Sequence, residues 1–227
     1  MNHVRTANPS YESAKILGSV LEQHQKHPVL LLLSGGSALL MLDHIDVSLL
    51  SDNLTITTLD ERFSEDPQIN NFKQIEATEF YASAVKNGVQ TISTTTFSGE
   101  TLEEAGERFE HALRAWKQNN PDGVIIATMG IGPDGHTAGL FPHQKGIDFS
   151  STAWVCAYEV PPEVNQYAKR FSVAYTFLRT CVNEVIVYAV GEDKRAIVEK
   201  IQQPDCRLED IPACIIGELQ RVTVITD

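Results

Sequence analysis

Six short apolar runs constrain this chain more than any other feature: Val29-Leu-Leu-Leu-Leu33, Leu54 to Leu59, Val124-Ile-Ile-Ala127, Trp154 to Tyr158, Glu184 to Val190 and Val222 to Thr226. Runs of this length, apolar on both faces, suit buried parallel strands. Between them the period changes. Ala14, Leu17 and Leu21 recur at helical spacing between Ser10 and Gln25. Thr101-Leu-Glu-Glu104 is a capping box that opens a helix running towards Lys117, and the turn cluster Asn119-Asn-Pro-Asp-Gly123 ends it. Strand and helix therefore alternate. The expected architecture is α/β: an open, mostly parallel, Rossmann-like sheet with helices on both faces. With no internal repeat and no Pro/Gly-rich linker, one domain over residues 1–227 is the simplest organisation. Ligands in such sheets sit at the carboxyl ends of the strands, so the residues after each run are the place to look for chemistry.

Charge narrows the partners. The chain carries 18 basic and 30 acidic residues, a formal net charge of -12. Phosphate backbones select basic faces, so a nucleic-acid partner is not expected. A small phosphorylated ligand remains compatible, because a few local Arg and Lys residues can hold one phosphate. The four cysteines, Cys156, Cys181, Cys206 and Cys214, form no C-x-x-C pair and read as free thiols in a reducing compartment. Met1 to Ser10 lacks an apolar signal core, and Val29 to Leu33 is too short to span a bilayer. The expectation is a cytoplasmic protein with no membrane partner, a monomer or weak homodimer.

Four segments carry candidate chemistry. Ser34-Gly35-Gly36-Ser37 directly follows the first run. Paired glycines let backbone amides approach a ligand, and with the Ser hydroxyls and the start of the next helix they can cradle a phosphate. A plain strand-to-helix turn would look the same. Asp60-Glu61-Arg62 follows the second run. Its acids can orient a base or a sugar hydroxyl and its Arg can meet a phosphate or an oxyanion, although a solvated charged turn also fits. Met129-Gly-Ile-Gly-Pro-Asp-Gly-His136 follows the third. Its glycines, Gly132 among them, let the loop pass close to a substrate and bring Asp134 and His136 together, with His suited to proton transfer near neutral pH. Gly191-Glu-Asp-Lys194 follows the run Glu184 to Val190. A Lys in the first turn of a helix opposes the macrodipole, which makes sense where an anion neutralises it; a solvated surface Lys is the plain alternative.

Other chemistries fit less well. His136 and His143 have no third ligand at matching spacing, so no metal or other cofactor is expected. There is no G-x-S-x-G elbow. Gly130, Gly132 and Gly135 match the letters of the dinucleotide fingerprint, but Asp148 comes too soon to serve as its acidic partner.

The segment from Gly130 to Pro142 resembles the G-x-G-x-D-G-H-T-A-S-L-F-P signature of the 6-phosphogluconolactonase family. Ser34 to Ser37, Asp60 to Arg62 and Gly191 to Lys194 stand in that family's order, Arg170-Phe-Ser172 resembles its Arg-hydrophobic-Thr/Ser strand, and Asn70-Asn71-Phe72 its Ser-Asn-Tyr turn. Gly139 and Asn70 stand where the family pattern has Ser. The resemblance implies an open sheet shared with glucosamine-6-phosphate deaminases, ribose-5-phosphate isomerases and CoA transferases. It implies metal-free hydrolysis of a phosphorylated sugar lactone, 6-phosphogluconolactone, in the oxidative pentose phosphate pathway. His136 would be the general acid/base, with Asp60 or Asp134 orienting it, and Arg62 or amides near Gly35 and Gly132 would meet the oxyanion. Arg170 and Lys194, with the Ser34 to Ser37 turn, would hold the phosphate. An amino-sugar-phosphate deaminase/isomerase and a non-catalytic sugar-phosphate-binding regulator are the alternatives. Phe141, where a deaminase would place a carboxylate, favours the lactonase.

Overall fold

The computed structural model describes residues 1–144 and 151–227; Asp148 lies outside them. In chain order the elements are β1 (Asn2–Arg5), α1 (Pro9–Gln23), β2 (Val29–Leu33), β3 (Leu54–Thr58), β4 (Asp60–Arg62), α2 (Asn71–Glu76), α3 (Glu79–Lys86), β5 (Gln90–Thr91), α4 (Leu102–Asn119), β6 (Val124–Gly130), β7 (Val155–Glu159), β8 (Lys169–Val173), α5 (Tyr175–Cys181), β9 (Glu184–Tyr188), α6 (Glu192–Lys200) and β10 (Val222–Thr226). Short 3-10 helices span Gly36–His44, Val47–Leu49 and Pro212–Glu218.

Seven strands form an all-parallel sheet in the order β1-β10-β9-β6-β2-β3-β5. The run Val29–Leu33 explains why β2 lies near its centre. Leu30 and Leu32 enter the core on one face with Phe109 and Leu113 of α4, while Val29, Leu31 and Leu33 enter the core on the other with Leu17 and Leu21 of α1. A strand whose alternate side chains both need burial must be covered on both sides.

Not every run joined this sheet. Trp154 to Tyr158, expected as a parallel strand, supplies β7, which is antiparallel to β8; β8 in turn pairs antiparallel with β4 in a second sheet, β4-β8-β7. Its apolar residues pack on α4 rather than in the main sheet, Phe171 meeting Phe109 with ring centroids 5.9 Å apart. Leu59 is the junction between the sheets. Its N–H donates to Leu33 O at 3.0 Å, and its carbonyl accepts from Val173 N at 2.9 Å. The chain passes from one sheet to the other immediately before Asp60.

The reading of four free thiols is also corrected. Cys206 and Cys214 are disulfide-bonded, with Cα atoms 5.7 Å apart, and only Cys156 and Cys181 are free. The turn after α6 folds back on the 3-10 helix Pro212–Glu218, a proximity that a spacing of eight residues does not reveal. Among the described residues no helix is long and apolar enough to cross a membrane.

Candidate active site at the switch point

Strand order reverses at β2. The chain moves from β2 to β3 on one side and later returns to place β6 on the other. The crevice beyond the carboxyl ends of β2 and β6 is therefore the topological switch point, where open α/β sheets bind ligands. Ser34 to Ser37 leave β2 there, and the loop from Ile131 to His136 leaves β6 there. A cavity of about 370 Å³ opens between them.

Ser34, Gly35, Gly36, Ser37, Asp60, Arg62, Gly132, His136, Arg170 and Lys194 all line this cavity. Asp134 stands behind His136. Its Oδ1 lies 2.5 Å from His136 Nδ1 and also accepts the His136 backbone N–H at 3.1 Å. Burial opposes ionisation of Asp134, but the hydrogen bonds and charge of His136 outweigh it and hold the carboxyl below its ordinary value. Gly132 makes the pairing possible, because a Cβ there would overlap both the His136 ring and Asp134 Oδ1. The other face of the imidazole is covered by Phe141, stacked at 4.6 Å. With Nδ1 engaged by the carboxylate, Nε2 is the nitrogen left for proton transfer.

Asp60 does something else. It faces Arg170 rather than His136, Oδ2 to Nη1 at 3.0 Å, and both side chains are buried. Arg170 also donates through Nε to Tyr167 O and through Nη2 to Asn165 Oδ1, each at 3.2 Å, and its guanidinium lies over Phe141. Three of its five N–H groups are thus used within the protein, leaving two. Arg62 donates through Nη1 to Ile69 O at 3.2 Å and packs on the Tyr167 ring. Burial, and then the nearby charge of Arg170, lower the Arg62 guanidinium from its usual range. Lys194 sits in the first turn of α6, mostly buried, with Asp193 Oδ2 at 2.9 Å. Within a strongly acidic chain, the cavity gathers Arg62, Arg170, Lys194 and His136.

The helix that opens within the Ser34 to Ser37 turn is a 3-10 helix, Gly36–His44. Asn165 and Tyr167 also line the cavity and hold both arginines, yet sequence reading misses them. They lie on an irregular stretch before β8, with no periodicity or motif to mark them.

A model of the family described as glucosamine-6-phosphate isomerases/6-phosphogluconolactonase matches residues 11–225. The chain belongs to this family. A 6-phosphogluconolactonase from Haemophilus influenzae is 33% identical over 117 residues, 52% of this chain and 47% of that protein. One from Caulobacter vibrioides is 26% identical over 153 residues, 65% of this chain and 62% of that protein. The chain thus matches about half to three fifths of these relatives' own lengths. The fold matches the 6-phosphogluconolactonase structure from Trypanosoma brucei with a TM-score of 0.78 at 18% identity, covering 99% of this chain and 95% of that one. The corresponding structure from Shewanella baltica gives a TM-score of 0.77 at 19% identity, covering 100% and 97%.

Two departures from the family pattern have local reasons. Asn70 caps α2 by accepting the Lys73 N–H at 2.9 Å, which a Ser would do equally well. Gly139 donates its N–H to Ser172 Oγ at 3.0 Å, and a Cβ there would come within 2.9 Å of Ser172 Cβ. In this chain the hydroxyl is on the β8 side of that contact.

Proposed function

We propose that this chain hydrolyses 6-phospho-D-glucono-1,5-lactone to 6-phosphogluconate. The observation that carries the reading is the His136–Asp134 pair at the mouth of a cavity that also collects two arginines, a lysine and a Gly-Gly turn. Asp134 holds Nδ1, so Nε2 takes a proton from water as the water attacks the lactone carbonyl. The imidazolium, stabilised by the carboxylate, then protonates the departing ring oxygen. No protein nucleophile is needed. Amides near Gly35 and Gly132, or the Arg62 guanidinium, meet the oxyanion. Lys194 and the two unused N–H groups of Arg170, with the Ser34 to Ser37 turn, hold the remote phosphate and so position the ring. No residue is assigned to a metal, and Asp134 is already engaged in orienting His136.

The family resemblance speaks against deamination. By that resemblance Phe141 stands where a deaminase would place a carboxylate; here it is almost fully buried and packs between His136 and Arg170. The test is acid release from freshly generated 6-phosphogluconolactone, with the fast uncatalysed reaction subtracted, alongside ammonia release from glucosamine 6-phosphate. Acceleration of the first with none of the second is the expected result. Ammonia turnover without lactone turnover would replace the lactonase reading with the deaminase one.

A further inference from the structure

Glu61 is fully buried and does not line the cavity. Its carboxylate accepts four hydrogen bonds: Oε1 from Arg62 N at 2.8 Å and Asn71 N at 2.5 Å, Oε2 from Phe72 N and Thr94 Oγ1, both at 2.9 Å. Its neighbours in β4 grip the same region. Asp60 O accepts from Asn71 Nδ2 at 3.0 Å, and Arg62 Nη1 donates to Ile69 O. Three consecutive residues of one short strand thus clamp the start of α2. The two residues whose backbone N–H groups share Oε1, Arg62 and Asn71, both line the cavity.

Asn71 is held with little freedom. Its Nδ2 faces the Asp60 carbonyl, which sets the orientation of the amide. Its Oδ1 is buried against Gly35, where a Cβ would overlap it, and has no hydrogen-bond partner among the described residues. A change in the start of α2 would therefore reach both the Arg62 wall and the Ser34 to Ser37 turn.

Stability alone does not account for a carboxylate here. Burying a charge is costly even when hydrogen-bonded. Burial pushes the Glu61 carboxyl up to about 7, against the pull of its four donors. Three of the four partners are backbone N–H groups, which can only donate; the ionised carboxylate accepts from all of them, and the amide nitrogen of Gln cannot.

We infer that Glu61 is a positioning residue for substrate binding: it never touches substrate but sets Arg62 and Asn71 in register across the cavity. The inference rests on the lactonase reading above. Replacing Glu61 by Gln keeps the shape and, in either amide orientation, turns a donor towards at least one backbone N–H. KM for 6-phosphogluconolactone should rise about tenfold, the equivalent of one lost charge-assisted contact. kcat should fall as well, because Arg62 and the Gly35 amide are the groups proposed to meet the oxyanion, but its pH profile should stay that of the wild type, because His136 and Asp134 lie on a different loop. Asn71→Ala should raise KM too, and the double variant should be no worse than the poorer single one, as expected of groups acting as one unit.

Wild-type turnover separates the two claims. A wild type that does not hydrolyse the lactone overturns the proposed activity, and the positioning role falls with it. An active wild type whose folded Glu61→Gln variant keeps its KM overturns the positioning role alone, as do losses that add in the double variant. Should Glu61→Gln fail to fold, Glu61→Asp keeps the charge and shortens its reach. A raised KM in that variant supports the role, and an unchanged KM overturns it.

Discussion

Two carboxylates stand at this cavity, and their settings are opposite. Asp134 is two residues from its partner His136; both side chains are partly exposed, at 42% and 30%. Asp60 is 110 residues from its partner Arg170, and both side chains are 6% exposed. The first pair belongs to a Gly-rich loop after a strand of the large parallel sheet. The second bridges two antiparallel strands of the small sheet, Asp60 opposite Ser172 and Arg62 opposite Arg170. The contrast divides the labour of the site. A solvent-reachable His–Asp pair can exchange protons with water. A buried ion pair cannot be changed without leaving a charge stranded, so it holds one wall still.

Replacing His136 by Asn should show the largest effect: a loss of about 10²–10⁴-fold in kcat, typical of a positioned acid/base group. Because that side chain is partly exposed, thermal unfolding should move by no more than about 1 kcal/mol. Asp60→Ala should do the reverse in emphasis. It strands the buried Arg170 guanidinium, and urea unfolding should report a loss of about 3–5 kcal/mol. If Asp60→Ala were as stable as wild type while losing activity, the buried pair would be catalytic and the division drawn above would be wrong.

The exposed loop is steadied from another segment of the chain. Ala213 donates its N–H to Gly135 O at 2.9 Å, and the Cys206–Cys214 bond closes the segment behind that contact. The double variant Cys206→Ser/Cys214→Ser should lose about 2–3 kcal/mol by the loop-closure relation. Amide exchange should rise around residues 132–136 and not in β4 or β8. Uniform exchange across both walls would mean the clip serves the fold at large.

The smallest effect is in pH. Asp134 titrates below its ordinary value in the folded chain. Its pairing with His136 therefore contributes stability that is present above the unfolded carboxyl pKa and is lost as pH falls through the lowered folded one. With the pair partly exposed, the contribution should stay under about 1 kcal/mol. Subtracting the acid unfolding curve of Asp134→Asn from that of wild type measures it. A difference that grew as pH fell would have the wrong sign for this pairing.

Much was legible before any coordinates. Continuous apolar runs placed β2, β3, β6, β9 and β10, helical spacing placed α1, and a capping box placed α4, because each signal is carried by residues that are neighbours in sequence. The Gly130 to Pro142 segment displayed its chemistry for the same reason: Gly132, Asp134 and His136 meet through one turn. The parallel sheet and the crevice at its carboxyl edge follow from those patterns and from strand sterics. Tertiary structure alone decided the rest. That Trp154 to Tyr158 runs antiparallel in a separate sheet depends on what covers it, not on its own composition. Whether Asp60 or Asp134 faces His136, that Glu61 clamps α2, that Asn165 and Tyr167 seat the arginines, and that Cys206 finds Cys214 are all settled by which chain segments are brought together. Those are long-range distances, and no local pattern of residue types encodes them.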